Sequence, residues 1–163
     1  MGTQRRYDAY CGLYCGACEI INAKTDQDRE RVGRIWDAKP EQVHCSGCKT
    51  NHLFVHCRNC PIRNCAMGKK VEFCFQCGDY PCAIYESGKE IIEHLPHLKA
   101  TVVNQKYIKE HGVEHWLVEQ EKKWQCPQCE SSFAWYTEEC RNCGKNLRGL
   151  KDYENLEDDD IGL

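Results

Sequence analysis

Twelve of the fifteen cysteines fall into six Cys-x-x-Cys pairs: Cys15/Cys18, Cys45/Cys48, Cys57/Cys60, Cys74/Cys77, Cys126/Cys129 and Cys140/Cys143. Two thiols three residues apart can face one metal ion from a tight turn. The other three, Cys11, Cys65 and Cys82, lie among these pairs, so all fifteen are candidate metal ligands. A disulfide framework is the competing use of so many cysteines. Three features favour metal. The segment Met1–Tyr10 is polar and carries Arg5, Arg6 and Asp8, which predicts no signal peptide. An odd count cannot pair completely within one chain. The expected setting is the cytoplasm, whose reducing poise disfavours disulfides.

The C-terminal pairs form the plainest motif. Trp124-Gln-Cys126-Pro-Gln-Cys129 is followed by ten residues and then Cys140-Arg-Asn-Cys143-Gly144. Two knuckles at this separation predict a compact zinc ribbon, one tetrahedral ion taking two sulfurs from each. Gly144 follows its knuckle and can supply a positive φ. Phe133, Trp135 and Tyr136 are expected to form a short aromatic hairpin between the knuckles. Rubredoxin-type iron sites use similar knuckles at wider separation, which favours zinc.

The N-terminal motif Cys11-x3-Cys15-x2-Cys18 has the spacing by which radical SAM enzymes hold a four-iron cluster. That chemistry needs a partial barrel, and residues 19–82 lack the strand–helix alternation to build one. The expected role is a three-sulfur donor completed by a distant ligand, with Cys82 a candidate. Eleven N-terminal cysteines fill two four-sulfur sites and leave three, for which His44, His52 or His56 could complete a third. Spacing allows Cys45/Cys48 to join Cys57/Cys60, leaving Cys11, Cys15, Cys18 and Cys82 together. It equally allows Cys45/Cys48 to join Cys74/Cys77.

His111-Gly-Val-Glu114-His115 has the order of an inverted zinc-protease motif. Gly112 weakens the helix it needs, and only 48 residues follow, so two surface histidines are the expected reading. His94 and His97 flank Pro96 and read as loop residues. No phosphate-cradling glycine loop, Gly-x-Ser-x-Gly or paired-carboxylate pattern is visible. No catalytic residue is assigned, and an enzyme is disfavoured.

These ligands need elements to position them. A short helix is predicted over Cys15–Lys24. A second runs over Asp26–Ala38, capped by Thr25 or Asp26, with a Val32, Ile35, Trp36 stripe and a stop at Pro40. A third is expected near Ile62–Lys69. Residues 83–122 contain no cysteine and read as three antiparallel helices, Cys82–Leu95, Leu98–Glu110 and Val113–Lys123. The faces expected to pack carry Ile84, Tyr85, Ile91, Ile92 and Leu95; then Val102, Gln105 and Ile108; then Val113, Trp116, Leu117 and Gln120. Large aliphatics are sparse over 44–82, so metal must substitute for missing core. Six of the nine residues Asp152–Asp160 are acidic, which predicts a solvated tail.

The formal charge is −3. Three zinc tetrathiolates would take it to about −9, which disfavours a nucleic-acid partner. Arg63, Lys69 and Lys70 form a local basic group whose plain reading is a solvated face. No apolar run of membrane-spanning length is present.

The ordered blocks carry a family resemblance. They are Ala9-Tyr-Cys11-Gly-Leu-Tyr-Cys15-Gly-Ala-Cys18, Cys45-Ser-Gly-Cys48, Cys57-Arg-Asn-Cys60-Pro-Ile-Arg63-Asn-Cys65-Ala66 and Val71-Glu-Phe-Cys74-Phe-Gln-Cys77-Gly-Asp-Tyr80-Pro81-Cys82. Over about residues 8–95 the chain resembles the uncharacterised Cys-rich prokaryotic family called domain of unknown function 3795. The C-terminal ribbon resembles an appendage that some members carry. The resemblance implies a cytoplasmic, anaerobe-associated bacterial or archaeal protein that binds metal through cysteine. It implies no established activity.

The expected architecture is therefore a small, metal-stabilised α+β protein. A Cys-rich zinc-knuckle module with packed helices spans 7–122, a zinc ribbon 123–148 and an acidic tail 149–163. The expected function is structural binding of several zinc ions in an interaction or adaptor protein with an unknown protein partner. The alternatives are an iron–sulfur electron-transfer or redox-sensing protein using Cys11, Cys15 and Cys18, and a small zinc enzyme.

Overall fold

The computed structural model describes residues 5–88, 92 and 94–147. The fold is mostly helical. Six α-helices appear in chain order: α1 Glu19–Asn22, α2 Asp26–Ile35, α3 Pro61–Lys69, α4 Ala83–Glu86, α5 Ala100–His111 and α6 Val113–Lys123. Short 3-10 turns lie between them. Among the described residues β structure is limited to three isolated antiparallel bridges, Asp8 with Tyr14, Gln125 with Ser132, and Glu139 with Asn146.

Local chemistry explains the helix ends. Thr25 caps α2 through a reciprocal box with Asp28: the Asp28 N–H donates to Thr25 Oγ1 at 3.1 Å, and the Thr25 N–H donates to Asp28 Oδ2 at 3.2 Å. The helix stops at Ile35, before the predicted end, and Asp37 turns the chain with φ 47°. Val32 is buried and Trp36 half-buried, but Ile35 is 60% exposed. The early stop leaves Ile35 beside the packed face rather than on it. The helix predicted over Cys15–Lys24 splits into a 3-10 turn, Cys15–Ala17, and α1. Cys18 is extended between them, and the Asn22 amide donates to the Gly16 and Cys18 carbonyls at 2.8 and 2.9 Å. Pro61 begins α3 at a position where its missing N–H is harmless.

Among the described residues two of the three predicted helices, α5 and α6, form over most of their length. The described part of Cys82–Leu95 holds the four-residue helix α4 followed by a 3-10 turn at Ser87 and Gly88; residues 89–91, Ile91 among them, and residue 93 lie outside the described residues. α5 and α6 fold back on each other across Gly112, which has φ 86° and donates its N–H to Ile108 at 2.9 Å. The third side of the pair is filled by Tyr14, Ala17 and Phe73 from the Cys-rich part and by Phe133, Trp135 and Leu147 from the C-terminal part, in one core around Trp116.

α5 faces this core with a polar stripe. Thr101, Asn104, Gln105 and Ile108 are its buried positions beyond Ala100, whereas Val102 is only half-buried. Asn104 donates to the Gly12 carbonyl at 2.8 Å, and Gln105 donates to the Tyr10 carbonyl at 2.7 Å. Gln105 Oε1 accepts from the Phe75 N–H at 3.1 Å. These amides satisfy loop backbone that has no strand to pair with, and so hold the Cys11 and Cys74 turns in place. Gly12 sits against the helix with φ 85°, where a Cβ would lie 2.8 Å from the Thr101 oxygen.

A buried ion network braces the other flank. Lys49 Nζ donates to Asp8 at 2.8 Å and Glu72 at 3.2 Å, and lies 3.8 Å from the Phe73 ring centroid. Arg6 adds a second bond to Asp8 at 2.8 Å. These cations hold the Asp8 carboxyl below its usual range against the opposing effect of burial. No helix among the described residues is long and apolar enough to cross a membrane.

Candidate metal centre

The C-terminal knuckles converge. Cys126, Cys129, Cys140 and Cys143 bring their sulfurs within 4.8 Å of one another, an arrangement that could hold one metal ion. Cys126 Sγ lies 3.6 Å from Cys143 Sγ, and Cys129 Sγ 3.5 Å from Cys140 Sγ. The two knuckles repeat one geometry. Four residues after each first cysteine the chain turns left-handed, at Glu130 (φ 59°) and Gly144 (φ 71°). Each of those residues donates its N–H back to the first cysteine, at 2.9 and 2.8 Å. The three aromatics do not form a hairpin between the knuckles, because they pack outward onto the body. The Phe133 N–H donates to Trp124 and the Trp135 N–H to Ala17, both at 3.0 Å.

His97 is part of this docking, a correction to its reading as a loop residue. It lies in the 3-10 turn Pro96–Lys99 and is 4% exposed. Its ring stacks on Trp135 with centroids 4.0 Å apart, and Nδ1 is 2.6 Å from Tyr136 Oη. Burial pushes His97 down to about 3. Arg141 also bonds Asp28, and Ser132 donates to Asn22 at 3.1 Å, so the metal-ligand loop is tied to α1 and α2.

The electrostatics of the four thiols differ. Hydrogen bonds from Ser131 and Asn142 bring Cys129 down to about 5. Burial opposes ionisation of Cys126, but backbone N–H groups of Gln128 and Cys129 outweigh it and lower the thiol. The Lys145 N–H favours the Cys143 thiolate, yet burial and three facing sulfurs push it up to about 12. Cys129 is the thiol prepared to ionise first.

The eleven N-terminal cysteines form a broader belt. Among the described residues, no three of their sulfurs come within 4.8 Å of one another. They still sense each other. Burial first, then Cys48, Cys60 and Cys74, raise Cys11. Cys57 is exposed as a residue, but desolvation of its crowded sulfur, then Cys18, Cys45, Cys48 and Cys60, raise it. Burial, then Cys82, Cys65, Cys48 and Cys77, push Cys74 up to about 12. Burial also pushes Cys18 up to about 12 and Cys48 up to about 11. Cys82, the candidate fourth ligand for the Cys11 motif, lines a cavity with Cys65, Cys74 and Cys77.

Of the histidines raised as extra ligands, His52 and His56 are engaged elsewhere. His52 stacks on His44 at 4.3 Å and contacts Ser46 Oγ at 3.3 Å; His56 Nε2 contacts the Trp36 carbonyl at 2.8 Å. His44 Nδ1 is buried with no hydrogen-bond partner. His111 ends α5 while His115 belongs to α6, so the helical metal pair of a zinc protease is not formed. His115 Nδ1 instead lies 3.0 Å from Tyr107 Oη. Arg63 and Lys69 are not a free basic patch. Arg63 donates to the Cys48 carbonyl at 2.9 Å, and Lys69 bonds Asp79 and donates to Cys77 Sγ at 3.3 Å.

Residues 7–87, which contain this thiol belt, match the family model described as protein of unknown function (DUF3795). This segment belongs to the DUF3795 family. The C-terminal knuckles lie beyond the DUF3795 match, and their contacts to Ala17, Asn22 and Asp28 fasten them onto it. No curated protein and no solved structure matches the chain.

Proposed function

We propose that this chain is a zinc-stabilised interaction protein whose C-terminal module is a zinc ribbon. The observation that carries the reading is the sulfur geometry. A Zn–S bond of about 2.3 Å sets tetrahedral sulfurs about 3.8 Å apart. The closest sulfur pairs, at 3.6 and 3.5 Å, are near that edge. Four thiolates fill the coordination sphere and leave no place for water or substrate, so the centre shapes the chain rather than reacting. The remaining eleven cysteines are read as further ligands. Exposed Met67, Ile84 and Val118 offer apolar surface to a protein partner. A reducing cytoplasm would keep the thiols available for metal.

A second reading applies to the N-terminal belt. Among the described residues no three of its sulfurs lie within 4.8 Å of one another. An iron–sulfur cluster places its thiolates around a cage rather than on one ion, and the Cys11, Cys15, Cys18 sequence spacing supports such a cluster.

Metal analysis with a visible spectrum, on protein purified without oxygen, tests both. Zinc that is lost from the Cys126→Ser/Cys140→Ser variant is expected. Wild-type protein without zinc would overturn the first reading. Iron with acid-labile sulfide and absorbance near about 400 nm, surviving in that variant, would establish the second for the N-terminal module.

A further inference from the structure

We propose that Cys65, Cys74, Cys77 and Cys82 form a separate tetrathiolate site for a single thiophilic metal ion. The proposal rests on the reading that the N-terminal cysteines take metal, and it assigns four of them to one centre. Three unconnected pieces of chain deliver the ligands. Cys65 lies on α3, Cys74 and Cys77 bracket a 3-10 turn, and Cys82 is the residue that caps α4. All four line one cavity walled by Ile62 and Tyr85. Its volume is about 20 Å³, room for roughly one water-sized body. That suits a single ion.

The knuckle is built to present its sulfurs. The Cys77 N–H donates to the Cys74 carbonyl at 3.0 Å, and the Tyr80 N–H donates to the Cys77 carbonyl at 3.1 Å. The Cys74 N–H donates to the Tyr10 carbonyl at 2.9 Å, which anchors the turn to the Cys11 loop. A divalent ion with four thiolates carries a charge of −2 and gains from a cation beside the sulfurs. Lys69 supplies one, donating to Cys77 Sγ at 3.3 Å. The four sulfurs are not all within 4.8 Å of each other, so binding must draw them inward from the cavity wall. Binding releases the protons of those four thiols, and no electron changes hands.

This grouping differs from every pairing that spacing suggested. Those pairings put Cys82 with the Cys11 motif or Cys74/Cys77 with Cys45/Cys48. It leaves Cys11, Cys15, Cys18, Cys45, Cys48, Cys57 and Cys60 as the separate remainder of the belt.

The test uses the full chain purified without oxygen and assayed for zinc, iron and acid-labile sulfide. The Cys74→Ser/Cys82→Ser variant should lose one equivalent of metal and no sulfide, while Cys126→Ser/Cys140→Ser independently loses one other. Undiminished metal in the first variant, or loss of sulfide with it, overturns the proposal. If the second variant loses nothing, the C-terminal reading fails instead. Should the first variant not fold, thiol footprinting of wild-type protein under limiting chelator decides the matter. Cys65, Cys74, Cys77 and Cys82 are expected to become alkylated together as one group. Independent alkylation, or full reactivity before chelation, overturns the site.

Discussion

Acidification from pH 7.5 to 5.5 should weaken the union of the C-terminal module with the helical body, and His97 should account for a defined part of the loss. The ring is 4% exposed, stacked on Trp135, and held down to about 3 from the usual 6.5. A group whose folded value is depressed contributes stability that is complete above its unfolded value and is lost as pH falls toward the folded value. Here the window runs from about 6.5 to about 3. Between pH 7.5 and 5.5 the unfolded imidazole gains a proton that the folded one refuses, which costs about 1.4 kcal/mol. Urea unfolding of metal-loaded protein at the two pH values measures the total. The His97→Phe variant keeps a stacking ring that cannot titrate. Metal release through thiolate protonation affects both proteins equally, so the difference between their pH responses isolates His97. Wild-type protein should lose about 1.4 kcal/mol more than the variant. Equal pH responses would refute the reasoning.

Replacing Lys49 by Met removes one of the two cations on the buried Asp8 carboxylate and leaves Arg6, so it should cost about 1.5–3 kcal/mol of unfolding free energy, read by urea titration at neutral pH. Replacing Gly12 by Ala combines a positive φ with a Cβ pressed against the Thr101 carbonyl, and should cost roughly 2–4 kcal/mol by the same assay. In metal-stripped, reduced protein at pH 7, Cys129 should be alkylated ahead of Cys143, as their values of about 5 and about 12 require. Mass spectrometry of partially labelled protein reads the order. Chelation should also release Trp135 from its stack on His97 and shift its fluorescence, and zinc should restore it; an unchanged spectrum would show that docking does not depend on metal.

Several parts of this arrangement were legible in the residues. The C-terminal set was readable because its two knuckles are close in sequence, so few chain conformations exist that bring them together any other way. Gly112 ended α5 and Gly144 took positive φ as glycine chemistry suggests. Thr25, one of the two candidate caps, does cap α2. Other readings failed for identifiable reasons. The apolar residues of Cys82–Leu95 suggested a long helix, but among its described residues only Ala83–Glu86 is α-helical, followed by a 3-10 turn at Ser87 and Gly88. The face of α5 was read in part: Gln105 and Ile108 are buried as expected, whereas Val102 is only half-buried and Asn104 lies inside. Asn104 and Gln105 are buried there because loop carbonyls at Gly12 and Tyr10 need donors, and those loops come from the opposite end of the chain. His97 looked like a loop residue because nothing local reveals that Trp135, thirty-eight positions away, covers it.

The sequence by itself determined which four cysteines converge at the C-terminus, where they could hold one metal ion. A Cys-x-x-Cys turn is local chemistry, complete within a few residues. Only the tertiary structure decided which distant thiols share a cavity, how α5 holds the cysteine loops, and where the C-terminal knuckles dock. Those outcomes depend on contacts between segments far apart in the chain, where burial and unpaired backbone groups select the partner and local spacing carries no record of it.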